Sequence, residues 1–174
     1  MRDRDDPRPT GRVVACIGCG RLVPDVEGPT HRYLESSPGC WAAYTTIPFG
    51  GMAGPAELPH SAMTVDAYAV QHPGRPGSSS TASVWIHLAA LHLVLERGLS
   101  ADRLISIRRV VADANDGWPW LTPPASMGGI GAIDVTSAAA ADVPDVVRTW
   151  VEAAYGAWAD HHGAIRALTT RLFG

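Results

Sequence analysis

Thr81-Ala82-Ser83-Val84-Trp85-Ile86-His87-Leu88-Ala89-Ala90-Leu91-His92-Leu93-Val94-Leu95-Glu96-Arg97 decides the fold class. Val84, His87, Leu88, Leu91 and Leu95 recur at helical spacing along one stripe, and Ile86 and Leu93 stand on the other side. A helix apolar nearly all round belongs at the centre of a fold, and Gly98 ends it. His87 and His92 sit on opposite margins of its main stripe.

Helices are expected on both sides of it. His60 to His72 reads as one, stopped by Pro73-Gly74, with Val65, Tyr68, Ala69 and His72 on one face and Asp66 turned elsewhere. Ser100 opens another through about Ala114, on which Leu104, Ile105, Arg108 and Val111 repeat. Trp118-Pro119-Trp120-Leu121-Thr122-Pro123-Pro124 cannot be helical, because each proline lacks a donor and restricts its predecessor. It reads as an extended segment over the core. Asp134 can cap a short helix through the alanine run. A last helix is expected from Val143 to Phe173, with His161 in the middle of its apolar face. The class is mainly α: a bundle of four to six helices carrying a small N-terminal zinc knuckle. Residues 1–12 read as a disordered tail, 13–174 as one domain, 13–44 as the knuckle region packed on a bundle at 60–174, and much of 45–59 as irregular loop.

The totals restrict the function classes. The chain has 174 residues, 46% of them hydrophobic and 18% charged, enough for a real core. A net charge of −3 disfavours nucleic acid as a partner, since no basic excess exists to neutralise phosphates. All 14 basic residues are arginine, so no lysine can form a Schiff base or serve a P-loop. No apolar run approaches the about 20 residues of a membrane span, and the N-terminus lacks the apolar core of a secretory signal. A cytoplasmic location is expected, with no membrane partner. Thiols stay reduced there, which favours cysteine as a ligand over cystine.

The three cysteines lie in the first quarter. Cys16-Ile17-Gly18-Cys19-Gly20 has the spacing of a metal-gripping knuckle: the first thiol opens a tight turn, the second closes it, and the glycine lets backbone amides turn back toward sulfur. Val13-Val14-Ala15 leads in as a short strand, and Arg21-Leu22-Val23-Pro24 can return as its hairpin partner. Cys40, after the Ser37-Pro38-Gly39 turn, supplies a third soft ligand. A closed zinc site needs a fourth, and His31 and His72 are both candidates. The cysteines are read as holding structural zinc, against an open catalytic zinc or three unrelated thiols.

The set Cys16-x-x-Cys19-Gly20, Thr30-His31-Arg32-Tyr33, Pro38-Gly39-Cys40-Trp41 and Asp66-Ala67-Tyr68-Ala69-Val70-Gln71-His72-Pro73-Gly74 resembles an uncharacterised family of small bacterial proteins. The resemblance runs from about residue 13 onward and implies no activity.

His72, His87 and His161 lie on expected inward faces of three helices. Three converging imidazoles are one way to build an open metal centre, with Asp66 or His162 orienting a ligand. The bland reading makes each a hydrogen-bonded core histidine. On the sharper one, the chain is a small metal-dependent enzyme acting on a small molecule, with His87 and His161 catalytic. The rivals are a non-catalytic zinc-stabilised interaction module and a thiol–zinc redox sensor.

Overall fold

The computed structural model describes residues 11–47 and 61–174. The expected tail, through residue 10, lies outside the described residues, as do residues 48–59 of the expected loop and His60 at the start of the expected helix. A two-stranded hairpin opens the described chain: β1, Val13–Ala15, pairs antiparallel with β2, Leu22–Pro24, Val14 opposite Val23. Asp25 N–H extends the ladder to the Arg12 carbonyl (2.8 Å). Seven α-helices follow among the described residues: α1 Pro38–Thr46, α2 Thr64–Gln71, α3 Ser78–Leu95, α4 Leu104–Asp113, α5 Ala132–Ser137, α6 Val143–Gly156 and α7 His162–Phe173.

α3 is the central helix its composition demands. Val84, Leu88, Ala89, Ala90, Leu91 and Leu93 are all fully buried. Among the described residues it alone is long and apolar enough to cross a membrane, and 61% of it is buried inside the fold. α2 packs between α3 and α6 and is buried on almost every side, from Asp66 through His72. Only Val65, expected inside, turns partly outward. Burying so polar a helix requires partners for each polar group. Gln71 Nε2 donates to the carbonyls of Met127 (2.6 Å) and Ile130 (2.8 Å), and its Oε1 accepts from Trp150 Nε1 (2.7 Å). Gln71 therefore ties both the loop before α5 and the middle of α6 to α2.

Three sequence expectations need correction. The helix expected from Val143 to Phe173 is two helices, because the chain leaves α geometry near Trp158 and makes a 3₁₀ turn at Ala159–His161. Trp158 is fully buried and its indole N–H donates to the Val70 carbonyl (3.1 Å), which fixes the corner against α2. Helical phase is lost there, so His161 does not continue the apolar face of α6. On α4, Ile105 is 80% exposed; Leu104, Ile107 and Val111 make the buried stripe. α5 stops before the alanine run. Asp134 lies inside its first turn, accepting from Gly131 N–H (2.8 Å) and from Arg21 Nε (2.9 Å). That second bond joins the hairpin to α5. The Trp118–Pro124 segment is extended as expected, its Pro119 carbonyl accepting from Trp85 Nε1 (2.8 Å).

Candidate metal centre

The knuckle turn closes locally. Cys16 N–H donates to the Arg21 carbonyl (2.8 Å), and Gly20 N–H to the Cys16 carbonyl (2.9 Å). Gly20 takes φ +75°, a conformation open to glycine. Its amide serves the turn rather than sulfur. The amide that does reach sulfur is Ser37 N–H, 3.4 Å from Cys16 Sγ, while Ser37 Oγ accepts from Ile17 N–H (3.1 Å). Ser37 is also the residue before α1, so this contact sets Cys40, in the first turn of α1, beside the knuckle. Gly39 permits it: a side chain there would collide with the Pro24 carbonyl of β2.

The fourth donor comes from the far end of α2. His72 Nδ1 lies 2.7 Å from the Tyr68 carbonyl one helical turn back. A carbonyl can only accept, so Nδ1 carries a proton, and Nε2 is the ring nitrogen left to meet a metal. Nε2 points at the thiols, 3.5 Å from Cys16 Sγ and 3.4 Å from Cys40 Sγ. Cys19 Sγ stands 3.8 Å from Cys40 Sγ, far beyond a disulfide bond, and all three cysteines are free. The four donor atoms lie within 4.8 Å of one another, and all four residues are buried. This group can hold one metal ion. Tyr68 also stacks on the imidazole, ring centroids 4.0 Å apart.

Thiols and imidazole packed this closely share protons. Hydrogen bonds from Cys19 and then Cys40 hold Cys16 well below the ordinary thiol range, against burial. Its hydrogen bond to Cys16, with burial, pushes Cys40 up. Burial pulls His72 down, but its hydrogen bonds to Cys16 and Cys19 outweigh that and push it up to about 9.

Gly18 is the residue sequence reasoning missed. A side chain there would overlap the Glu35 carbonyl and stand 2.5 Å from His72 Cδ2. The loop between the two cysteines lies flat on the imidazole, and the identity of position 18 was the only sign of it.

The other candidates do not join this group. His31 takes a weak contact from Tyr33 N–H (3.5 Å) and packs edge-on against the Tyr33 ring. It belongs to an aromatic cluster with Trp41 and lies outside the four-donor group. His87 Nδ1 donates to Asp66 Oδ1 (2.7 Å), which also accepts from Arg108 Nε (2.8 Å). Asp66 has no exposed surface. It lies six residues from His72 on α2, about 9 Å along the axis and on a different face. That separation keeps His87 away from the four donors. His161 Nε2 donates to the Thr122 carbonyl (2.8 Å) at the α6–α7 corner. His162 stacks on Tyr155 and its Nε2 donates to the Tyr155 carbonyl (3.0 Å). The expected convergence of His72, His87 and His161 is therefore absent among the described residues: helix phase and the corner at Trp158 send them to three places.

Comparison with protein-family models matches residues 14–159. The chain belongs to DUF5946, a family of unknown function. The match spans the hairpin, all four candidate ligands and the chain through the α6 corner. Comparison with curated proteins gives no match, and comparison with solved structures gives none.

Proposed function

We propose that this member of DUF5946 is a non-catalytic binding module stapled by one structural zinc ion. The observation that carries the reading is the donor geometry. Tetrahedral zinc, with sulfur at about 2.3 Å and nitrogen at about 2.0–2.1 Å, places two sulfurs about 3.8 Å apart and sulfur and nitrogen about 3.5 Å apart. Cys19 and Cys40 Sγ are 3.8 Å apart, and His72 Nε2 lies 3.5 and 3.4 Å from Cys16 and Cys40 Sγ. Three thiolates and an imidazole are a soft set suited to zinc, and four protein ligands leave no open position for water or substrate. The ion would fasten the hairpin and α1 to α2, which already holds α3 and α6. Burial of all three thiols counts against a redox sensor, because oxidants act on accessible thiolates.

Elemental analysis of the purified protein tests the reading. One zinc per chain is expected, retained in His31→Ala and His161→Ala and lost or loosened in His72→Ala. Two metals per chain, or full zinc retention in His72→Ala, would refute it.

A second reading rests on the 2.7 Å bond between Asp66 and His87. A carboxylate on Nδ1 leaves Nε2 as a base, and this would be the chemistry of an enzyme acting on a small molecule without His161. Nitrogen NMR of the His87 ring decides the tautomer: a proton on Nε2 with Nδ1 bare at neutral pH removes the reading.

A further inference from the structure

A cavity of about 420 Å³ lies beside the metal centre, at the N-terminus of α3. Its walls come from chain flanking each candidate ligand. Ile17 follows Cys16, Arg32 and Glu35 lie between Cys19 and Cys40, and Gly74, Arg75 and Ser80 follow His72. Three features make it a receptor for negative charge.

First, α3 is an 18-residue helix whose cap residue, Gly77, has no side chain to satisfy the first-turn amides. Thr81 N–H is the first to find a helical acceptor, the Gly77 carbonyl at 2.8 Å. The amides of Ser78, Ser79 and Ser80 precede it and stand at the positive end of the helix dipole. Second, Ser80 is only 7% exposed, yet its hydroxyl has no hydrogen-bond partner among the described residues and lies on the cavity wall. Its Oγ faces Gly74, 3.2 Å from where a Cβ at that position would stand. The hydroxyl is free to donate to a ligand that enters the cavity. Third, two guanidiniums face one carboxylate across the cavity. Arg75 Nε is 3.1 Å from Glu35 Oε1, which neutralises that acid and leaves Arg32 without an ion pair among the described residues.

We infer that this cavity binds a small molecule through a phosphate-like oxyanion seated on the first turn of α3, the Ser80 hydroxyl and Arg32. The volume is that of a small-molecule site rather than of a bare ion, so the anion is one end of a larger ligand. The inference names the ligand chemistry of the binding module proposed above and rests on that reading, since the metal would hold the walls together. In a chain of net charge −3, a positive cavity is a local exception.

The test is titration of the zinc-loaded full chain with inorganic phosphate, followed by amide NMR. The amides of Gly77 to Ser80 are expected to shift and saturate together. Arg32→Ala, at an exposed site, should weaken that binding by about tenfold. Ser80→Asp places a carboxylate in the first turn, which suits the helix but should abolish binding. Shifts that do not saturate, that spread over exposed arginines, or that persist at wild-type affinity in both variants would overturn the inference. Zinc measured on the same samples separates the two ideas: a chain without zinc fails the staple, and a zinc-loaded chain whose Gly77–Ser80 amides stay still fails this one.

Discussion

Gly18→Ala is the sharpest perturbation of the centre, because it adds one methyl group and removes no ligand. The new Cβ would overlap the Glu35 carbonyl and stand 2.5 Å from His72 Cδ2. Carbon atoms rest about 3.5–4.0 Å apart, so the imidazole must retreat by roughly 1 Å or more, or the knuckle must lift by as much. Metal–ligand lengths tolerate about 0.2 Å. Nε2 would leave the coordination sphere, and the tilt of the ring would strain its 2.7 Å bond to the Tyr68 carbonyl. The expected cost is about 10–100-fold in zinc affinity, together with about 1–3 kcal/mol of stability from overpacking. Gly20→Ala is the control. It sits at φ +75° with open space around it, so it should cost about 1–2 kcal/mol of backbone strain and leave zinc affinity near wild type. Competition with a chromophoric chelator reads the affinity, and thermal melts read the stability. Equal zinc affinity in Gly18→Ala and the wild type would refute the placement of His72 against the knuckle.

Two further outcomes follow from the buried polar groups. Asp66→Ala should destabilise the fold by about 2–4 kcal/mol in urea unfolding, because it strands Arg108 and His87. Arg108 keeps a partly exposed side chain, which holds the loss below that of a fully buried charge, and Asp66→Ala should leave zinc content unchanged. For pH, His92 is pulled below its ordinary value by burial, against the attraction of Glu96. Its Nε2 is buried without a partner among the described residues. The folded chain therefore keeps His92 neutral while the unfolded chain takes up a proton below about pH 6.5, so stability should fall as pH drops from 7 to 5.5. Glu96, held low chiefly by the Tyr155 hydroxyl, contributes stability that is lost only at more acidic pH. Melts of zinc-loaded protein should show a shallower decline in His92→Gln than in the wild type; parallel curves would sink the assignment.

Much of the architecture could be read in advance wherever neighbours along the chain set it. The period of Val84 to Leu95 marks a central helix, Pro73-Gly74 and Gly98 mark stops, and the Trp118–Pro124 prolines forbid helix. The pair Cys16 and Cys19 is equally local: two residues and a turn place both thiols on one side. Periodicity misled wherever a distant contact reset the phase. The run from Val143 to Phe173 keeps its helical pattern, yet Trp158 is held by the Val70 carbonyl and the chain turns a corner there. No pattern within the run contains that bond.

The same division holds at the candidate metal centre. Sequence alone pointed to the donor types of a candidate site, three soft thiols and a histidine, because donor type is a property of the residues themselves. It left the fourth donor open between His31, the nearer along the chain, and His72, the second candidate. Tertiary structure brings His72 to the thiols and leaves His31 outside the four-donor group. His72 is 56 residues from Cys16, yet its Nε2 stands 3.5 Å away, because α2 ends against the knuckle and the Tyr68 carbonyl holds Nδ1. Gly18 completes the choice by leaving the imidazole room to approach, and no local rule could show that the space at position 18 belongs to a ring brought in from α2.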